Sequence, residues 1–344
     1  MSTTHHTALE ALRKLDGFTP QNLANTLWAY ATLDTYPPHN LATAVCNATL
    51  VNLEAHCAHS LSTLMWSLST LHHDPGAAFV SRVLARATCP EVLNAMAPQA
   101  LALTLLGVGL FGYRDDALQR LLARARETAA AFDVQALANT LWACAMLRMV
   151  TPDTWNTLVA HFDPSRSVPT KRAENLRQIY QALLVATMDT GGALEGFKRP
   201  GELMEAAREA WLSDVSSVSV STLQREVGAA LTRLGFDPAL EHVVADGAFS
   251  VDFAVLSKRL AVEVDGPHHF AVNTQRQLAT TTTRHELLRY AGWTVLQVCF
   301  YDWQPLRGEA AAQEGLLTQL LAQHGIRVPA QVETGGDDAP GVDA

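Results

Sequence analysis

The stretch Leu-Ala-Asn-Thr-Leu-Trp-Ala occupies residues 23–29 and recurs, residue for residue, at 137–143. The two copies lie 114 positions apart, three times 38, so intermediate copies are expected near residues 66 and 104. Both are present. Aligned on a Gln or His, the copies read QNLANTLWAYATLD from Gln21, HSLSTLMWSLSTLH from His59, QALALTLLGVGLFG from Gln99 and QALANTLWACAMLR from Gln135. Trp28, Trp66 and Trp142 fall in register, with Leu106 in the third copy. A weaker fifth copy, ENLRQIYQALLVATMD, begins at Glu174.

Each copy reads as a helix. Leu23, Leu27 and Tyr30, with Ala24, Trp28 and Ala31 beside them, recur every three to four residues. Pro20, Pro98 and Asp133 stand near the helix starts, where Pro suits the first turn and Asp a cap; Pro37, Pro75 and Pro152 follow the helix ends. A second apolar-periodic stretch separates the copies, as in HNLATAVCNATLVNL from His39. The unit is a helix pair, and stacked helix pairs make an α-solenoid. At helical spacing the tryptophans are expected in the core between repeats. Ligand contact is expected from aligned polar positions, Asn25/Thr63/Leu103/Asn139 and Asp34/His72/Gly112/Arg148.

Composition limits the partners. The chain has 344 residues and net charge −9, with 13 Lys+Arg against 14 Asp+Glu in residues 1–190 and 12 against 20 in 191–344. Bulk positive charge, which would hold nucleic acid non-specifically, is lacking, so any such contact uses local patches. Five scattered cysteines without a CxxC pair argue for a reducing compartment and against a zinc ribbon. No apolar run reaches membrane-span length, and no signal or transit peptide is evident at the N-terminus.

The 38-residue unit, with its PQxLANTLWAxAxL core, resembles the octotricopeptide repeat of green-algal and plant organelle proteins. That resemblance covers about residues 16–190 and implies RNA binding, with one repeat addressing one nucleotide. It is specific in the first and fourth copies; the second lacks the Ala-Asn pair, and the third and fifth are degenerate.

Beyond residue 190 the pattern changes. A helix-bearing linker (191–220) leads to a helix from Ser221 and to strand-like runs HVVADGAF, SVDFAVL and RLAVEVDG. A polar helix at 278–290, the strand WTVLQVCF, a C-terminal helix within 309–328 and an acidic, disordered tail at 329–344 complete the chain. The order α-β-β-β-α-β predicts a compact α/β domain at 221–308 with a three-stranded meander and a crossover. A hairpin turn at Ser257-Lys258 sets Asp252 opposite Glu263. Asp252, Glu263 and Asp265 then share one face, and Val251, Phe253, Val255, Leu260, Val262 and Val264 the other. Like charges directly opposite one another invite a divalent ion such as Mg²⁺ or Mn²⁺, with Asp252 and Glu263 as ligands. His268 and His269 follow as acid/base or substrate-contact groups, and Glu226 is a further candidate carboxylate. An acidic strand face that is simply solvated is the plainer alternative.

Residues 223–306 resemble a RAP domain, a module of organelle RNA-processing proteins. The resemblance is carried by VDFAVLSKRLAVEVDGPHHF, Asn273, Thr281, Arg284, Leu288, Gly292-Trp293 and Tyr301-Asp302-Trp303. It implies the fold of PD-(D/E)xK and very-short-patch-repair endonucleases. Asp252 and Glu263 match that motif's acids, while Asp265 stands where the motif has its lysine. Loss of that lysine weighs towards a non-catalytic module, with His268 or His269 as the substitute if the site is catalytic. Arg284 and Arg289 on the polar helix suit phosphate contacts.

The expected architecture is therefore a helical solenoid followed by a small endonuclease-like α/β domain. The expected function is RNA binding in chloroplast or mitochondrial RNA metabolism: stabilisation, processing, rRNA maturation or translation. Single-stranded organelle RNA, helped by other RNA-processing proteins, is the expected partner, with Asn25, Asn139, Arg148, Arg284 and Arg289 as contacts. The alternatives are a metal-dependent RNA endonuclease using Asp252, Glu263, Asp265, His268 and His269, and a protein–protein scaffold.

Overall fold

The computed structural model describes residues 3–215, 220–245 and 247–329. Of the acidic tail expected at 329–344, all but Pro329 lies outside the described residues. The chain divides into two compact units: Met1–Ser217 with Pro267–Tyr290, and Val218–Gly266 with Ala291–Ala344.

The first unit is a stack of helix pairs. The aligned copies form helices Pro20–Thr32, Ala58–Thr70, Pro98–Phe111, Val134–Met146 and Arg172–Asp189, each packed against the next. Helix Gly201–Val215 extends this layer. The outer layer is built from Leu41–Val51, Ala77–Ala87, Ala117–Glu127 and Pro152–Val159. The starts obey the sequence. Thr19 accepts from Asn22 N in a capping box with Pro20 at the first turn, and Asp133 accepts from Ala136 N at 2.7 Å.

The recurrent motif has three packing duties, written at different positions along it. Its leucines fill the core: Leu23, Leu27, Leu61, Leu101, Leu105, Leu137 and Leu141 are at most 1% exposed. The small residues after the tryptophan position let neighbouring helices approach. A Cβ on Gly107 would meet the Met65 carbonyl oxygen at 2.6 Å, and one on Gly109 the Ala143 Cα at 3.0 Å. The residue that closes each inner helix is left-handed: Asp34, His72, Gly112 and Arg148 have φ of 48°, 49°, 68° and 56°. The polar set Asp34/His72/Gly112/Arg148, expected as a ligand-reading set, is therefore chiefly a helix-terminating one.

The second unit holds a four-stranded sheet in the order β1 (Ala239–Val244), β2 (Phe249–Val255), β3 (Leu260–Asp265), β4 (Thr294–Cys299). The first three strands are antiparallel and β4 runs parallel to β3. Phe253 pairs with Val262 and Val255 with Leu260, the register expected from sequence. The turn differs. It is not a Ser257-Lys258 two-residue turn but a single 3₁₀ turn, Leu256–Lys258, closed by Arg259 at φ 50°. The four-residue loop conserves the pairing sum, so the register survives while the disfavoured Ser-Lys turn is avoided.

One sheet face carries the core of this unit, where Phe253, Val255, Leu260, Val262, Leu296 and Val298 pack with Val227, Leu231, Leu317 and Trp303. Helix Thr222–Arg233 supplies Val227 and Leu231, helix Ala310–Gln323 supplies Leu317, and Trp303 ends the short helix Phe300–Trp303. Gly228 lets the first of these sit on the Phe253 ring, which a Cβ there would meet at 2.7 Å.

The stretch 221–308, expected as one domain, is shared between the two units, because Pro267–Tyr290 pack with the repeats.

Candidate nucleic-acid interface and carboxylate site

The inner helices of the first unit enclose a groove of about 490 Å³. Trp28 and Trp66 line it, together with His59, Ser62, Thr63, Gln99, Gln135 and Asn139. This corrects the expectation that the tryptophans are core. Trp28 is 48% exposed and Trp66 half-buried. Only Trp142 is nearly covered, with Nε1 donating to Gln181 Oε1 of the next copy at 3.0 Å. The helical period explains this: tryptophan falls seven residues after the aligned Gln or His, two turns on, and shares its face. Asn25 is exposed and accepts from Gln21 Nε2 at 2.7 Å. Asn139 is buried against the next copy, accepting from Gln178 Nε2 at 3.1 Å. Lys and Arg are absent from the lining; Asp133, already spent on its cap, is the one carboxylate there.

The left-handed turns of three successive copies hold the segment Pro267–Tyr290. Val272 N donates to His72 O at 2.8 Å, Arg276 Nη2 to Phe111 O at 2.7 Å, and Gly112 faces Ala279. Arg148 joins Glu286 and, at 2.8 Å, Asp189. Asp74 is the centre of the clamp. Its carboxylate accepts from Arg276 Nε at 2.7 Å and from the Tyr113 hydroxyl at 2.9 Å, and its backbone pairs twice with the Asn273 amide at 2.8 Å. The Arg276 guanidinium lies 4.3 Å from the Tyr113 ring centroid. Arg148, expected as an RNA contact, is thus 16% exposed and held by two carboxylates. Arg284 is half-buried and Arg289 exposed on helix Ala279–Tyr290. His269 accepts from or donates to Thr281 Oγ1 at 2.9 Å, and burial, with His268, Arg284 and His72 nearby, pushes it down to about 4. His268 is exposed, its ring 4.2 Å from that of His269.

Asp74, Tyr113 and Arg276 went unnoticed in the sequence because their partners lie about 40 or 200 positions away; Asn273 alone was flagged, as part of the RAP pattern.

In the second unit the carboxylates are buried. Glu263 is 5% and Asp265 2% exposed, and Asp252 is half-buried, which overturns the solvated-face alternative. Asp252 Oδ2 accepts from Val264 N at 2.6 Å, and Oδ1 accepts from Gln224 Nε2. Gln224 also donates to Glu241 Oε1 at 2.9 Å, and its own oxygen accepts from Ser221 N. Burial, then the Glu263 charge, push Asp252 up to about 6. Glu226 is elsewhere engaged, accepting from Trp303 Nε1 at 3.0 Å and pairing with Arg307 at 3.0 Å.

Both oxygens of Asp252 already accept from N–H groups, and among the described residues no group of three or more His, Cys, Asp or Glu is placed to hold a metal ion. Asp252 instead ties β2 to β3 and to the helix before the sheet. No lysine stands at Asp265 to activate water.

Residues 262–316 match the family profile of the RAP domain. The match falls downstream of a stack of helix pairs and takes in β4, the helix Ala279–Tyr290 and most of β3. The chain is also similar to a "RAP domain-containing protein, chloroplastic" of Oryza sativa subsp. japonica, 23% identical over 308 residues and covering 87% of this chain. It spans 46% of that relative's length. Among the described residues no helix is long and apolar enough to cross a membrane.

Proposed function

We propose that this protein is an RNA-binding factor of organelle RNA metabolism, holding single-stranded RNA on its repeats. The observation that carries the reading is the inner groove, where aromatic and amide side chains recur in register on successive helices. Such a lining suits unstacked bases, which proteins hold by aromatic stacking and by hydrogen bonds to base edges. The RAP match supports an RNA role, and the relative's printed name supports a chloroplast location. Transcript stabilisation, processing, rRNA maturation and translation all fit a binder that positions RNA for other proteins. The RAP domain acts in this reading as a non-catalytic partner of the repeats, since Asp265 stands in place of a lysine and Asp252 holds two N–H donors.

The test uses the full chain with labelled chloroplast-type single-stranded RNA, with Mg²⁺, with Mn²⁺ or with chelator, read on native and denaturing gels. Asp252→Ala/Glu263→Ala runs alongside. Binding without cleavage in every buffer is expected. Metal-dependent cleavage lost in the double variant would replace this reading with an endonuclease, and no binding would leave a protein scaffold.

A further inference from the structure

We infer that the groove takes RNA base-side in, with the indoles of Trp28 and Trp66 as stacking faces and the phosphates turned away from it. The inference rests on the RNA-binding reading and assigns its chemistry to particular atoms. Four positions of each inner helix, at spacing i, i+3, i+4, i+7, face one way. In the second copy all four line the groove, as His59, Ser62, Thr63 and Trp66. The first copy contributes Trp28, the third Gln99, Ala102 and Leu103, and the fourth Gln135 and Asn139.

This stripe carries aromatic faces and neutral donors and acceptors, the two kinds of group that recognise a base. It carries no Lys or Arg to recognise a phosphate. A backbone lying against these helices would be desolvated without a compensating charge, next to Asp133; a base would lose nothing comparable. The exposure of Trp28 makes the same point. An indole 48% exposed beside a concave polar surface leaves apolar area that a planar ligand would cover. The third copy, with Leu103 and Leu106 where others have a polar residue and tryptophan, keeps Gln99 as its one base-edge group in the lining.

The test is fluorescence anisotropy with labelled RNA homopolymers of about 10 nucleotides, within the usual single-strand site size, and with an abasic ribose-phosphate strand of equal length. Trp28→Ala and Trp66→Ala are expected to weaken binding of the best homopolymer at least fivefold each, and Trp28→Phe and Trp66→Phe to restore most of it. The fold-loss should be the same at about 50 and 200 mM salt, because no phosphate contact is removed. The abasic strand should bind at least tenfold more weakly than the homopolymer and be indifferent to both tryptophans. Circular dichroism melts confirm that the variants fold. Homopolymer binding that ignores both tryptophans would overturn the inference while leaving RNA binding intact, and the groove would then belong to another ligand, such as a peptide. Equal binding of the abasic strand would overturn it too. Failure of every RNA to bind would remove the RNA-binding reading itself.

Discussion

Asp252 shows how a half-buried carboxylate can serve as a structural group. Its oxygens close the ends of two elements, Val264 N on β3 and Gln224 on the preceding helix, at the cost of facing Glu263. Its pKa, raised from 3.8 to about 6, fixes the sign of its linkage. The folded state binds this proton first, so the contribution is present below 3.8 and is lost as pH rises through about 6. Asp252→Asn keeps one acceptor and removes the like charge. At pH 8 relief of the Glu263 repulsion is offset by an amide N–H₂ turned towards an N–H donor, so the change should stay within about 1 kcal/mol either way, with a less favourable balance at pH 5, as urea unfolding would measure. A loss above that size at pH 8 would mean that the charge itself is needed. Arg148 is the opposite case, a cation spent on structure. Arg148→Ala should cost only about 0.5–1 kcal/mol, because Asp189 and Glu286 are exposed enough to be solvated, and leave RNA affinity within twofold.

At the scale of elements, the inner helices depend on close approach. Gly107→Ala places a methyl against the Met65 carbonyl, and backbone cannot yield as a side-chain end would. A destabilisation of about 1–3 kcal/mol is expected from thermal melts. The Asp74 clamp joins Pro267–Tyr290 to the turns of the second and third copies. Asp74 is buried and Arg276 partly exposed, so Asp74→Ala removes the hydrogen bonds of Arg276 and Tyr113 and should cost about 1–3 kcal/mol. The fold was largely legible in the sequence, because a helical repeat writes its period locally and the hairpin writes its register in alternation. What was hidden has physical reasons. The tryptophan position shares its helical phase with the polar positions, which apolarity alone disguises. The left-handed turns look like variable polar positions, since only Gly112 of the four is glycine. For the carboxylates the pairing was legible in the alternation but the burial was not, because tertiary packing decides it.

For the whole molecule, acid is the informative stress. Burial pushes His56, His73 and His269 down to about 4 and His285 to about 3, from an ordinary 6.5. All four lie in the first unit. The unfolded chain takes up these protons first, so stability falls from about pH 6.5 towards 4, while Asp252 in the second unit acts in the opposite sense between about 6 and 3.8. Melts should give a Tm at pH 5 lower by more than about 5 °C than at pH 7.5, with a pH-independent Tm contradicting the assignment. The central claim, that RNA lies on the inner faces of the repeats, is tested most directly by ultraviolet crosslinking of the full chain to chloroplast-type single-stranded RNA, followed by mass spectrometry of the crosslinked peptides. Adducts are expected on the peptides of helices Pro20–Thr32 and Ala58–Thr70, at or beside Trp28 and Trp66. Adducts confined to the outer helices or to the second unit would contradict it.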